Sequence, residues 1–375
     1  MNNIDVLRFA SRWILLAALC APMSAIWAAP DATHPDFVVT IEKGDTLIGL
    51  GQRWLADPEN WPELQRHNKI RNPRLLIPGS TIAIPAALLR NQLTDVTIRS
   101  VSGQARTADG TPLAAGDRLR EGAEIKTAED GYVTIELVDG STLQLQSRSR
   151  LKVERARRQS GSKATETRFQ LPAGQAEVKF NPNAEKASKF EIRTGYASAA
   201  VRGTVFRVGA GEKATRTEVT KGTIAFAGLP PDAGTETPSD AVPIPEGFGS
   251  IVDESRKPIP PVRLLAAPAL PREPVFQQAP SLRLGFPPLE GAVSYRARLA
   301  ADENFERVFG EGVFKQPEVS FSGLAQGSYV LKVRGIDKFG LEGRDSIAIV
   351  GILPDKPPVL RAPSPYSTSE TPGNR

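Results

Sequence analysis

Cysteine and histidine are almost missing from this chain of 375 residues, which holds one cysteine, Cys20, and two histidines, His34 and His67. Cys20 falls in an N-terminal stretch with the marks of a removable segment, so the chain that remains has no thiol. Disulfides, thiolate metal sites and cysteine nucleophiles are excluded together. Two histidines are too few for the ligand set of a zinc hydrolase, and a Ser-His-Asp triad fails for the same shortage. Long apolar runs are scarce as well: beyond the first thirty residues nothing approaches the roughly 20 apolar residues of a membrane-spanning helix. Neither sign of charge dominates, with 47 basic against 42 acidic residues and a net charge of +5, a mild excess that favours anionic polymers without demanding them. Composition leaves paired carboxylates open as a catalytic device, yet no patterned region is left over to form a catalytic cleft. The expectation is a protein that is not an enzyme, with no metal and no cofactor.

Proline and glycine, by contrast, number 32 each and imply many turns. At this length two or three domains are expected. Arg8 and Arg12 precede an apolar run from Trp13 to Leu19, and small residues follow at Ala25, Ala28 and Ala29. That is the layout of an export signal, with residues 1–28 removed by cleavage after Ala28. Pro22 and Ser24 interrupt the apolar core, which argues against an uncleaved anchor. Leu19 stands where a lipoprotein signal prefers a small residue, which argues against lipidation of Cys20. The chain is therefore expected in the periplasm or cell envelope, with no transmembrane anchor after cleavage.

Residues 37–85 form the first patterned region. Phe37, Val39 and Ile41 alternate with Val38, Thr40 and Glu42, the period of a half-buried strand. Asp45 stands where it could cap a helix whose Leu47, Leu50 and Trp54 share one face. Asp57-Pro58 is a second helix start, Trp61 and Leu64 give that helix an inward face, and Pro78-Gly79 turns into a closing strand with Ile82 and Ile84. The order is βααβ. Lys43-Gly44-Asp45-Thr46-Leu47, Asn68, Pro78-Gly79 and Ile82-Ala83-Ile84-Pro85 together closely resemble the lysin motif (LysM) module. That resemblance implies binding of peptidoglycan, an N-acetylglucosamine-containing glycan, in a shallow groove between two loops. Here the loops are Gly44, Asp45, Thr46 and Leu47 on one side and Leu75, Leu76, Ile77 and Pro78 on the other. Loop backbone would pair with the acetamido groups while leucine and isoleucine cover methyl and ring faces, and glycine at 44 permits close approach. A purely structural role stands beside the binding one: Asp45 as cap, Leu47 as core, Asn68 as a residue bonding loop backbone.

Residues 95–254 are rich in short alternating segments. Val133, Ile135 and Leu137 point one way, Asp139-Gly140 marks a tight turn, and Leu143, Leu145 and Leu151 resume the pattern. Phe190 with Ile192, Val201 to Phe206, Val219 and Ile224 follow, suggesting a β-sandwich or roll, with Phe248 to Val252 as a last strand. Gly116-Asp117-Arg118-Leu119, Asp139-Gly140-Ser141 and Val201-Arg202-Gly203-Thr204 with Phe206 resemble the FecR family. In that family the domain lies outside the membrane and signals through one transmembrane helix to a sigma-factor-binding segment. This chain has an export signal in place of that segment, so the resemblance carries over an extracytoplasmic β domain for protein contacts. Arg202, Gly203 and Thr204 read first as a structural corner. The stretch from Arg148 to Arg168 is strongly basic, with Arg150, Lys152, Arg155, Arg157, Arg158 and Lys163 between. It reads as a solvated, mobile excursion between strands that could touch anionic wall polymer or lipid headgroups; export sets nucleic acid aside, and aromatic residues for stacking are absent there as well.

Residues 255–279 are proline-rich and read as a stiff spacer. Residues 280–353 alternate again through Leu282, Leu284 and Phe286, Tyr295, Ala297 and Leu299, and Tyr329, Leu331 and Val333. They loosely resemble a fibronectin type III-like β-sandwich, and the tail 354–375 reads as disordered. The fold class expected is multidomain and mainly β: a small βααβ module, a FecR-like roll or sandwich and a C-terminal sandwich. Two functions follow from it. One is a wall-bound envelope protein holding a partner protein through its β domains; the alternative is an extracytoplasmic sensor component acting through a separate membrane partner.

Overall fold

The computed structural model describes residues 36–160, 163–185, 187–201, 203–230 and 240–354. The segment 1–28 expected to be an export signal, Cys20, His34, Arg202 and the tail from residue 355 onward lie outside the described residues.

Strand β1 (Phe37–Thr40) is joined through helices α1 (Leu47–Trp54) and α2 (Trp61–His67) to β2 (Thr81–Ile84), which pairs with it antiparallel. Apolar spacing puts Leu47, Leu50, Leu55 and Leu64 against Ile41, Ile82 and Ile84 in one small core. The cap of α1 is Thr46 and not Asp45: the Thr46 Oγ1 accepts the Gly49 N–H at 3.0 Å. Asp45 is drawn away by other donors, accepting the Glu42 N–H at 2.9 Å and facing the Arg53 guanidinium at 3.3 Å. Asp57 does cap, accepting the Glu59 N–H at the short 3-10 turn Pro58–Asn60 that leads into α2.

The second region is built of seventeen strands. They are β3 (Asn91–Leu93), β4 (Val96–Ser102), β5 (Ala105–Thr107), β6 (Arg118–Leu119), β7 (Glu124–Thr127), β8 (Tyr132–Glu136) and β9 (Thr142–Leu145). There follow β10 (Arg150–Gln159), β11 (Thr165–Lys179), β12 (Lys189–Arg193), β13 (Ala197–Val201), β14 (Val205–Ala210) and β15 (Thr215–Lys221). The last are β16 (Thr223–Gly228), β17 (Val242–Pro245), β18 (Phe248–Val252) and β19 (Val262–Arg263). They form two sheets around one core that includes Ile98, Val133, Ile135, Phe169, Val178 and Phe206. Strand β11 belongs to both, pairing with β10 and β12 through Glu166–Gln170 and with β9 and β14 through Gly174–Lys179. At the crossing point Gly174 has a φ of +91°, and an added Cβ would stand 2.5 Å from the Ser149 Cα. Glycine is what this corner requires. The basic stretch is not an excursion. Leu151, Val153 and Ala156 alternate inward, so Arg150–Gln159 is a strand paired on both edges.

The third region pairs β20 (Val275–Gln278), β22 (Ser294–Ala300), β23 (Val308–Phe314), β25 (Gly327–Ile336) and β26 (Ser346–Leu353) in one sheet. The two-stranded antiparallel sheet of β21 (Leu282–Gly285) and β24 (Glu318–Phe321), strands separated in the chain by β22 and β23, faces it, with Leu284, Val319, Tyr295, Leu331 and Val350 in the shared core. The proline-rich segment before it is no free spacer: Val262–Arg263 pairs with β18, Leu264 is buried, and Leu265 lies against Gly335 and Gly343. Those glycines make room for Leu265, which holds the segment down despite its prolines. The outer face of the five-stranded sheet then docks on the β8, β9, β11, β14 and β15 face. Arg298 Nη1 donates to Gln144 Oε1 at 2.9 Å, Arg207 Nη2 donates to the Glu342 and Gly343 carbonyls at 2.8 and 2.7 Å, and the Glu342 N–H donates to Glu218 Oε1 at 3.2 Å.

Candidate functional site

Ile41 ties the two expected glycan loops together at the end of the β1–β2 pair: its N–H donates to the Ser80 carbonyl and its carbonyl accepts the Gly79 N–H, both at 2.8 Å. Gly44 and Gly79 both have positive φ, +98° and +84°, and an added Cβ at either would meet open space. Backbone conformation and not crowding therefore sets glycine there. Leu75 and Ile77 are each 70% exposed, an unusual state for neighbouring large apolar residues, while Leu76 between them turns half-buried onto the small core. Thr46 and Pro78 are exposed. The amides of Gly44, Leu76 and Ile77 have no protein acceptor among the described residues, which leaves loop donors beside two apolar side chains.

Three sequence candidates are held elsewhere. Leu47 as a whole residue has 0% exposure and packs in the core, so it adds nothing to the loop surface. The Asp45 carboxylate is engaged by Glu42 and Arg53. Asn68 clamps the end of α2 to β2, donating to the Leu64 and Ala83 carbonyls at 2.9 and 2.7 Å and accepting the Ala83 N–H at 2.7 Å. His67 Nε2 lies 2.5 Å from Asp36 Oδ2, on the surface.

A second concentration of chemistry was not visible in the sequence. Between the docked module and the sheet beneath it lie Glu177, Arg207, Glu218, Arg296, Arg298, Lys332, Arg334 and Glu342, all largely buried. Burial pushes the Glu177 carboxyl up, but the surrounding cations, Lys332 and Arg334 foremost, outweigh it and hold the group well below the usual carboxylate range. Glu342 behaves likewise, with Arg296 and Arg334 prevailing over burial. Burial prevails at Glu218, whose carboxyl is raised in spite of Arg207. Burial also pushes the Lys332 ammonium down to about 8 against the pull of Glu177 and Asp345. Strongly shifted groups mark active sites, but they also mark structural ion networks. Here each carboxylate faces arginine at the seam, and a cavity of about 90 Å³ lies beside Gln144, Glu177, Glu306 and Lys332.

Among the described residues no helix is long and apolar enough to cross a membrane. The family model of the LysM domain matches residues 39–85, and that of the FecR protein matches residues 123–225. No curated protein matches the chain. Among solved structures, the chain is similar to a candidate anti-sigma factor from Parabacteroides distasonis, 17% identical with a TM-score of 0.29 over 37% of this chain and 59% of that one. It is also similar to the extracellular domain of a candidate one-component system from B. thetaiotaomicron, 9% identical with a TM-score of 0.18 over 70% and 57% of the two chains. A third is SGBP-B of the Bacteroides ovatus mixed-linkage glucan utilization locus, in complex with a heptasaccharide, 11% identical with a TM-score of 0.13 over 68% and 60%. The matches thus span about three-fifths of those structures' own chains. Likeness at that level carries no argument about function.

Proposed function

We propose that this protein is an exported, non-catalytic envelope protein that binds peptidoglycan through its LysM domain and so places two β modules at the wall. One observation carries the reading: Leu75 and Ile77 stand exposed beside loop amides that lack acceptors, within a domain matched to LysM over residues 39–85. Apolar side chains and free donors side by side suit an acetamido sugar, which offers a methyl, a ring face and a carbonyl. The two modules held there are the FecR domain and the C-terminal module, which we read as fibronectin type III-like from its two facing sheets and central strands. A protein contact through these modules is part of the proposal. The non-catalytic reading is supported by the scarcity of histidine and by the engagement of the buried carboxylates with arginine.

The test is sedimentation with purified sacculi, comparing the parent with the Leu75→Asp/Ile77→Asp variant of the whole chain. Both residues are exposed, so folding is expected to be unchanged while retention falls. Equal retention would sink the glycan-binding proposal. The FecR match favours a second reading, a sensor component acting through a separate membrane protein. Co-purification of a transmembrane or sigma-binding partner from envelope extracts distinguishes it; its absence after crosslinking counts against sensing.

A further inference from the structure

The basic run between Arg148 and Arg168 is largely neutralised on folding. Arg148 faces Glu129, Arg155 faces Glu166, Arg157 faces Glu121 and Arg168 faces Glu191. Arg150 and Lys152 are different, because they join cations from distant strands. Arg150 stands directly opposite Lys126 on β7, and Lys126 stands directly opposite Arg106 on β5. Their neighbours Leu151, Ile125 and Ala105 are buried, so the three cations share the solvent face and form one row across three strands. Strand spacing of about 4.8 Å sets the row at roughly 10 Å long. Lys152, two residues along β10, lies on the same face.

Like charges directly opposite one another destabilise a sheet. Relief comes from Glu124, 3.4 Å from Arg150 and 4.0 Å from Lys126. Among the described residues neither Arg106 nor Lys152 has an ion-pair partner. Four cations against one carboxylate leave an uncompensated strip on a folded, regular surface.

We propose that this row is a docking site for a linear phosphate-bearing polyanion lying across β5, β7 and β10. Guanidinium groups at both ends offer paired donors to phosphate oxygens, and Lys126 supplies a point charge between them. A polymer fits better than a lipid surface, because membrane-binding faces set apolar side chains among their cations. The flanking positions here are Glu124, Gln170 and Ala173. The site is separate from the LysM loops and independent of what they bind.

The experiment measures binding of the full chain to inorganic polyphosphate over a range of salt, with anionic phospholipid vesicles as a parallel arm. The variant is Arg106→Ser/Lys126→Ser/Arg150→Ser; the control is Arg118→Ser/Lys213→Ser/Lys221→Ser, exposed cations elsewhere with the same change in charge. The row variant is expected to bind polyphosphate about tenfold or more weakly, and its salt slope to flatten by about two to three, for three charges at roughly 0.7 to 0.9 each. The control is expected to stay within about threefold of the parent. Relief of repulsion should leave the row variant melting no lower than the parent, so lost binding would not be lost folding. Equal weakening by both variants, unchanged binding by the row variant, or an effect confined to vesicles would overturn the proposal.

Discussion

Glu342 is where the docked module is most sharply tested. Its Oε1 accepts from Arg296 Nε at 2.7 Å and its Oε2 from Arg334 Nη1 at 3.1 Å, in a side chain that is 4% exposed. Glu342→Gln keeps the shape and removes the charge. Losing one partner of a buried ion pair costs about 3 to 5 kcal/mol. Arg296 keeps Glu311, and Arg334 keeps Asp345 at 2.7 Å, so the lower end applies, about 3 kcal/mol. At about 2 to 4 °C per kcal/mol for a body of this size, the melting temperature should fall by roughly 6 to 12 °C. Urea unfolding followed by tryptophan fluorescence and circular dichroism measures the loss directly. Pairing Glu342→Leu with Arg334→Met should cost less than the sum of the two alone, because each single change strands the other charge. A Glu342→Gln variant within about 0.5 kcal/mol of the parent would refute the account of the seam.

Asn68→Ala removes three hydrogen bonds and leaves both Ala83 backbone groups unpaired, and should destabilise the LysM fold by about 2 to 3 kcal/mol, seen in hydrogen exchange of β1 and β2. Gly174→Ala should cost at least about 3 kcal/mol or prevent folding, since the residue would take a positive φ and strike Ser149; soluble yield and melting temperature report it. The acid arm of stability should track Glu177 and Glu342. Their folded pKa lies below the ordinary value near 4.5, so their contribution is present above that pH and is lost as pH falls toward the depressed value. Lys332 works on the alkaline side. Between about 8 and 10.5 the unfolded chain holds a proton that the folded one has released, so stability should rise with pH there and Lys332→Met should abolish the rise in a pH series of unfolding curves.

What the sequence revealed was governed by local pattern. The βααβ order and the inward run Val133, Ile135 and Leu137 follow from spacing along one segment, whereas Asn68 stood between a binding and a structural role until its bonds to Leu64 and Ala83 were seen. The seam did not. Arg296 and Arg298 alternate with Tyr295, Ala297 and Leu299, and Thr134 alternates with Val133 and Ile135, as a solvent face would. They are covered because two such polar faces meet, and complementary charge on distant strands leaves no periodic signature in either. Leu75 and Ile77 show the converse: apolar residues in a loop are ambiguous by sequence, and their exposure emerges once Leu76 is seen taking the core position. The basic run misled in a third way, because its net charge concealed cross-strand pairing with Glu121, Glu129 and Glu191.

The junction after the LysM domain has a mechanical meaning. Arg90 follows it directly, donating from its backbone to the Trp54 carbonyl at 2.7 Å and from its side chain to Gln52 and Leu55, and β3 then pairs with Arg157–Gln159 of β10. There is no slack of the kind a flexible leash would give. A pull on the loops at 44–47 and 75–78 would enter the sheet at one end of β10 and run along ten residues, roughly 30 Å, to the end where Arg150 stands in its row of cations. If the loops grip the wall as proposed, its tension is felt as strain in that strand, and a polymer on the proposed cation row is held at a fixed separation from it, as by a strut.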